Sequence, residues 1–282
     1  MTLELNAMNE THLDAAYALT QRLQWPHRRA DWQQALLLGE GLVAEEDGAL
    51  AGTLLFWRWG RDYATLGLVI VDDARQGKGI GKRLMQAALA RLEGSNVRLH
   101  ATAAGQPLYE KLGFVATGHV EQHQCRALAQ VSAIACGPQQ RLRSAGAQDA
   151  ALLTALDRQA HGQQRPLLIT HLLDGAERFL VLEENGTAAG FACLRRFGHG
   201  YAIGPVVARH LANARLLVSE LLSGLAGEFV RIDTDRAAGL GPWLNTLGLP
   251  EVDAPTTMVK GQPWQPESGG MQVFGLMSQA MA

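Results

Sequence analysis

Three glycines at alternate positions, Gly77, Gly79 and Gly81, mark the segment best suited to chemistry. They connect an apolar, β-branched run (68–71) to a stretch whose leucine and methionine spacing predicts a helix. Because glycine has no Cβ, the backbone of such a turn can approach a ligand closely. The N–H groups of the turn and of the first helical turn converge where the helix dipole is positive. This arrangement is typical of a phosphate or diphosphate site.

The spacing excludes two common phosphate loops and fits a third. Arg83 replaces the Ser or Thr of G-x-x-x-x-G-K-[ST], and a leucine replaces the last glycine of G-x-G-x-x-G. Gln76-x-x-Gly79-x-Gly81 instead resembles the [Q/R]-x-x-G-x-[G/A] acetyl-CoA loop of the GNAT N-acetyltransferase superfamily. The segment 104–114, AGQPLYEKLGF, resembles the short helix, tyrosine and L-G-F turn that follow in that family.

This resemblance implies a cofactor site and a catalytic residue. Acetyl-CoA would be the co-substrate, with its diphosphate on the glycine loop and its pantetheine along the unpaired edge of the preceding strand. Tyr109 would be the general acid that protonates the departing thiolate; alternatively, its ring packs under Phe114. The implied cofactor-binding residues are Val69, Ile70, Val71, Gln76, Gly77, Lys78, Gly79, Ile80, Gly81 and Lys82.

The catalytic base and the acceptor site stay open at this stage. His100 has the ring pKa of ~6.5 that suits a base, although a lone histidine in a strand is commonly structural. Asp72 and Asp73, at the end of a strand, are further candidates for the base, although they could simply bracket the turn. Water could also remove the proton from the amine. The residues expected to bind the acceptor are Trp25, His27, His100 and Asp233. His119, His123 and Cys125 alternate along one strand but lack a fourth ligand, so no metal is expected.

An internal repeat indicates two copies of one fold. The hairpin sequence 42–52, LVAEEDGALAG, recurs at 180–190 as LVLEENGTAAG. The same order continues, with 67–71 matching 204–208 and, further on, His100 matching Asp233.

The second copy has lost the features that imply chemistry. Its residues 213–218 read NARLLV, without glycine, and Leu244 stands where the first copy has its tyrosine. We therefore expect that the second copy cannot bind CoA in the same way. This pattern resembles bacterial two-domain acetyltransferases with a degenerate GNAT-like C-terminal domain.

The expected fold class is α/β (α+β). The chain should consist of two GNAT-like folds in tandem. Each copy should have a mixed, mostly antiparallel central sheet with helices on both faces. The resemblance also implies that the parallel strands 62–72 and 97–102 of the first copy splay apart to form the cofactor cleft. We predict a catalytic domain over 1–136 and a degenerate domain over 137–282. The segment 271–282 receives no assignment.

Composition excludes little else. The chain has 282 residues, 47% of them apolar, and a net charge of −2, so neither nucleic acid nor a membrane is an expected partner. Three unpatterned cysteines, with no recognisable signal peptide, favour a cytoplasmic protein. The protein could be a monomer or a homodimer.

The expected function is acetyl-CoA-dependent N-acetylation of a primary amine by direct transfer in a ternary complex. The acceptor could be a small-molecule amine or a protein lysine. One alternative is a non-catalytic CoA-binding or sensory module on the same fold, and another is an acyltransferase that uses a longer acyl-CoA.

Overall fold

The computed structural model describes residues 3–282 and has the expected mixed α/β architecture. The first half comprises β1 (Leu3–Ala7), α1 (Leu13–Arg22), α2 (Arg29–Leu38), β2 (Glu40–Glu46), β3 (Ala49–Trp59), β4 (Tyr63–Val71), α3 (Ile80–Arg91), β5 (Asn96–Ala101), α4 (Gln106–Lys111) and β6 (Val115–Cys125). The second half comprises β7 (Gln140–Ser144), α5 (Ala150–His161), α6 (Pro166–Gly175), β8 (Arg178–Glu184), β9 (Thr187–Phe197), β10 (Gly200–Ala208), α7 (Leu211–Leu222), β11 (Val230–Asp235), α8 (Gly241–Thr246), β12 (Glu251–Asp253), β13 (Thr256–Lys260) and β14 (Gln272–Gly275).

The two halves repeat one another, as the sequence predicted. Strands β3 and β9 have the same length and the same residue-by-residue burial pattern. Both preceding hairpin turns place their two central residues at positive φ, Asp47 and Gly48 in the first and Asn185 and Gly186 in the second. Positive φ at both positions defines a type I′ turn, for which Asp-Gly and Asn-Gly are the favoured sequences. Within residues 3–282, no helix combines the length and apolar character needed to cross a membrane.

The two halves exchange strands within one continuous sheet. The strand order is β1-β2-β3-β4-β5-β13-β6-β11-β10-β9-β8-β7. Strand β13 lies between β5 and β6, where Met258 faces Leu99 on one side and Ala116 on the other. The far half of β6 pairs with β11, from Val120 to Cys125. Each half therefore supplies a strand to the sheet of the other, and the predicted boundary at residue 136 divides the sequence but not the sheet.

Both halves contain a fork between two parallel strands. Strands β4 and β5 pair only from Tyr63–Asn96 to Thr65–Arg98 and then separate, which confirms the predicted splay. Past the fork, β4 contains a bulge at which Leu68 adopts a φ of 51°. A left-handed leucine is strained, and strain of this kind concentrates at functional sites.

The second fork is filled by the chain itself. Strands β10 and β11 pair over only two positions, and β14 then pairs antiparallel with β10, from Val206–Gly275 to Ala208–Gln272. In the repeat, 206–208 match 69–71 of β4. The segment without a sequence assignment thus occupies, in the second half, the strand edge that stays open in the first.

The strand exchange predicts that a substitution in the C-terminal segment weakens the N-terminal core. Met258 is fully buried and packs among first-half residues. Met258→Ala should lower the free energy of unfolding by about 2–5 kcal/mol, because a buried side chain is lost and a cavity remains. Val252→Ala, at a half-exposed position of β12, should change it by less than about 0.5 kcal/mol. Urea unfolding measures both. Independent unfolding of the two halves, with the first unaffected by Met258→Ala, would contradict the exchange.

Candidate active site

The glycine loop presents a group of unpaired backbone N–H groups. Gly77 and Gly79 both have a φ of 78°, and no other atom lies within 4 Å of a Cβ built on either. Gly79 is the N-cap of α3, and its carbonyl accepts the first helical hydrogen bond, from Arg83 N at 3.1 Å. Among the loop and turn hydrogen bonds of residues 3–282, none uses an N–H from Gly77 to Lys82. These donors at the start of a 12-residue helix fit a diphosphate.

The Gln76 side chain is engaged differently from our expectation. Its Nε2 donates to Asp73 Oδ1 at 2.7 Å and to the Val71 carbonyl at 3.3 Å, so it braces the loop. Both amide hydrogens are thereby used, which leaves none for a phosphate. Lys78 Nζ lies 3.4 Å from Glu46 Oε1 and is half-exposed, so its charge stays close to the loop.

Asp72 has a structural role at the end of β4. Its Oδ1 accepts from Ala74 N at 3.1 Å, and its Oδ2 pairs with Arg22 at 2.9 Å and Arg75 at 3.0 Å. Burial alone would raise the pKa of this carboxyl. The Ala74 hydrogen bond and the Arg22 charge together outweigh burial, so the pKa lies below its usual value. Asp72 therefore caps the turn as an ion-paired carboxylate. This agrees with the interpretation that it brackets the turn, not with a role as the base.

The edge of β4 past the fork fits an extended chain of amides. Residues 69–71 have β3 on one side and no β5 partner on the other. The equivalent edge of β10 pairs with β14. An unpaired strand edge binds another extended backbone through its N–H and C=O groups. The second half thus provides, within the same chain, an example of the ligand geometry that β4 can accept.

Tyr109 is a buried phenol beside the loop. Burial raises the pKa of its hydroxyl to about 12, so the group keeps its proton at neutral pH. Its ring meets Phe114 edge-to-face at 6.1 Å between centroids. A Cβ built on Gly81 would lie 3.4 Å from the side chain of Leu108, so helix α4 adjoins the start of α3. Packing on Phe114 and a role as a proton donor are compatible.

A cavity of about 790 Å³ lies between the two halves. The α1–α2 connection and the forked ends of β4 and β5 form one side, and β9, β11 and residues 277–281 form the other. All four residues expected to bind the acceptor line it, namely Trp25, His27, His100 and Asp233. Sequence reasoning missed Arg195, Phe197, Arg231 and the C-terminal segment. The repeat contained a signal for Arg231, which matches Arg98 just as Asp233 matches His100.

His100 has no nitrogen free to act as a base. Its Nδ1 lies 2.6 Å from the carbonyl oxygen of Gln279, which can only accept, so Nδ1 carries the hydrogen. Its Nε2 then accepts from Arg98 Nη2 at 3.3 Å. Burial and the Arg98 charge lower the pKa of the ring to about 3. From the sequence, His100 is a candidate base; in the structure its ring instead binds the Gln279 carbonyl.

Two further cavity residues, His27 and Asp233, carry no unbalanced charge. Burial and the Arg231 charge lower the pKa of His27 to about 4, so its ring is neutral. Asp233 Oδ2 lies 3.0 Å from Arg231 Nε, and its Oδ1 accepts from Gln279 Nε2 at 3.1 Å. Asp233 is one of the residues expected to bind the acceptor, and in the structure the Arg231 guanidinium balances its charge.

The C-terminal segment reaches the first fork. A Cβ built on Gly67 would lie 2.6 Å from the Cβ of Ala280, so Ala280 packs directly on β4 beside the bulge. Arg195 Nη2 donates to the carbonyl of Met277, and Arg165 Nη1 donates to that of Met281 at 3.3 Å. Arg165 is itself held by Asp157 in a buried ion pair of 2.7 Å. Residues 277–281 are therefore a fixed wall of the cavity.

One cluster of metal-ligand type occurs in the described residues, outside this cavity. Single ligand atoms of Glu121, His123 and Glu251 lie within 4.8 Å of one another. Arg236 already pairs with Glu121 at 2.9 Å and Glu251 at 3.1 Å. His123 donates through Nδ1 to the Leu249 carbonyl at 2.8 Å. His119 and Cys125 do not join the cluster, and the absence of a metal stays a prediction.

Comparisons with known proteins identify the family of both halves. Two protein-family models, both described as acetyltransferase (GNAT) domain, match residues 38–116 and 153–275. The uncharacterized N-acetyltransferase YitH of Bacillus subtilis is 27% identical over 99% of this chain and 98% of its own length. The two family-model matches place one GNAT domain in each half of the chain.

Solved structures show the same fold. A crystal structure from Pyrococcus horikoshii aligns with a TM-score of 0.80 at 19% identity, over 99% of this chain and 96% of that one. A tandem GNAT protein from the clavulanic acid biosynthesis pathway aligns with a TM-score of 0.62 at 15% identity, over 92% and 98%. With one GNAT domain matched in each half and this tandem fold, the chain belongs to the GNAT acetyltransferase superfamily as a two-domain member.

Proposed function

We propose that the protein transfers an acetyl group from acetyl-CoA directly to a primary amine, in a ternary complex formed by its first GNAT copy. The observation that carries this proposal is the combination of free N–H groups at 77–82 with an open β4 edge at 69–71. The second copy lacks this combination, because β14 covers its edge. The sequence repeat sets 213–218 against the glycine loop, but those residues lie inside α7, and only Arg209 and His210 connect β10 to that helix.

Each part of acetyl-CoA has a matching element in the first copy. The diphosphate would bind the loop N–H groups at the start of α3, and the pantetheine amides would pair with β4 as β14 pairs with β10. The thioester would then lie near the bulge at Leu68. A backbone N–H there would stabilise the oxyanion of the tetrahedral intermediate.

The reaction needs one proton donor and one proton exit. The amine nitrogen attacks the thioester carbon, the C–N bond forms, and the C–S bond breaks. Tyr109 protonates the departing thiolate and recovers its proton from solvent; a phenol with a pKa of about 12 is fully protonated before the step. The proton of the amine passes to water, since both nitrogens of His100 are occupied.

The cavity favours a small acceptor and a short acyl group. Its walls come from both halves of the chain, which suits a small-molecule amine better than a protein lysine. Ala280 packs on Gly67 at the bulge, so we expect residues 277–281 to limit the length of the acyl chain that fits there.

The loop assignment predicts that Gly79→Val abolishes acetyl-CoA binding. The valine Cβ would project into the open space at the start of α3, and binding should weaken at least about 100-fold. Gly94→Val is the matched control, because Gly94 has a φ of 80° and equally open surroundings. Both variants carry a similar strain of about 1–2 kcal/mol. Calorimetric titration should find one site per chain in the wild type and in Gly94→Val. Unchanged binding by Gly79→Val would disprove the assignment.

The proton-donor role predicts a change in rate without a change in affinity. Tyr109→Phe keeps the ring on Phe114 and removes the hydroxyl, so kcat should fall by roughly 10²–10⁴ while acetyl-CoA affinity stays the same. Tyr63→Phe, at a ring that contacts Trp264 outside the cavity, should leave both unchanged. Thiol release and calorimetry measure the two quantities. A non-catalytic CoA-binding module would bind acetyl-CoA and release no thiol with any amine.

A further inference from the structure

A buried arginine in the cavity wall lacks a counterion. Arg195 on β9 is 6% exposed, and its Nη2 donates to the carbonyl of Met277. Its Nε has no hydrogen-bond partner, and no ion pair joins it to a carboxylate in the part of the chain that the structure describes. A buried charge is unfavourable unless it is paired. Arg195 therefore points to a group that is not part of the protein.

The carboxylates near Arg195 are held by other arginines. Asp233 pairs with Arg231 at 3.0 Å, and Asp31 pairs with Arg28 at 2.7 Å. His27 is neutral at physiological pH. The exposed part of the wall carries Arg126, Glu228 and Asp253. The buried part of the cavity thus has one excess positive charge.

The arginine is placed to act together with a second one. Ala202 pairs with Arg195 on one side and with Arg231 on the other, so the three residues form a row on one face of the sheet. The Phe197 ring lies 5.5 Å from the Arg195 guanidinium and 5.4 Å from that of Arg231. All three side chains line the same cavity.

We propose that the acceptor carries an anionic group, a carboxylate or a phosphate, in addition to its amine, and that Arg195 binds this group. This inference rests on the proposed function, because it names the substrate class of the same site. The first copy would hold the amine at the bulge beside Gly67, and the second copy would hold the anion across the cavity. The degenerate copy thereby determines acceptor specificity.

Matched pairs of acceptors test the inference. Alanine, leucine and phenylalanine are each compared with their carboxamides, and O-phosphoethanolamine is compared with ethanolamine, at equal concentrations of unprotonated amine. The wild type should prefer the anionic member of at least one pair by roughly 10- to 100-fold in kcat/KM, the effect of one charged hydrogen-bonded contact. The pair that responds distinguishes a carboxylate from a phosphate.

Three variants assign the preference to Arg195. Arg195→Gln should remove most of it, and Arg195→Lys should retain most of it. The control is Arg196→Gln, because Arg196 is the next residue of the strand, half-exposed, and paired with Glu177 at 3.2 Å. If Arg195 only anchors residues 277–281 through Met277, Arg195→Gln will slow both members of a pair equally. That result, or a preference that survives Arg195→Gln, would overturn the inference.

A binding measurement keeps the inference separate from catalysis. Calorimetry with N-acetylalanine, N-acetylleucine, N-acetylphenylalanine, N-acetyl-O-phosphoethanolamine and their uncharged counterparts needs no turnover. Acetyl-CoA is titrated in parallel, and its failure to bind would refute the proposed function. If acetyl-CoA binds and the wild type does not favour any anionic probe over its uncharged partner, the inference is wrong while the proposed function stands.

Discussion

Each copy of the fold opens its sheet at a fork, and the backbone N–H and C=O groups past that fork need hydrogen-bonding partners. The two copies satisfy this requirement differently. In the second, β14 returns and pairs with β10. In the first, the edge at 69–71 stays open. This one difference leaves an open strand edge in the first copy and a paired one in the second.

The closure of the second fork also builds the cavity. After β14, the chain continues through Met277 to Ala280, which packs on the first fork at Gly67. The segment that closes one cleft therefore forms the wall of the other. Arg195 and Arg165 fix its position through backbone carbonyls. The second copy, without its own glycine loop, still contributes side chains to the cavity in which we propose that the acceptor binds.

Local chemistry made part of this structure predictable. The glycine spacing at 77–81, the Asp47-Gly48 turn and the run into β4 each depend on neighbouring residues, and the structure has them where the sequence places them. Other features depend on distant partners. Strand β13 reads TTMVK, and so short a segment suits either sheet, so no sequence pattern could assign the strand to the first half. His100 contacts Gln279, which is 179 positions away, and that contact decides which of its nitrogens carries the hydrogen. The surroundings of Arg195 likewise follow only from the assembled fold.

The exchange of β13 has a consequence for biosynthesis. Strand β6 ends at Cys125, but the strand that separates it from β5 ends only at Lys260. At synthesis rates of roughly 5–20 residues per second, the ribosome needs several seconds to about half a minute to make the intervening segment. During that interval the emerging first copy has strand edges on β5 and β6 without their final partner. Such edges are where nascent chains associate wrongly, so chaperone contacts during translation should concentrate on 96–125.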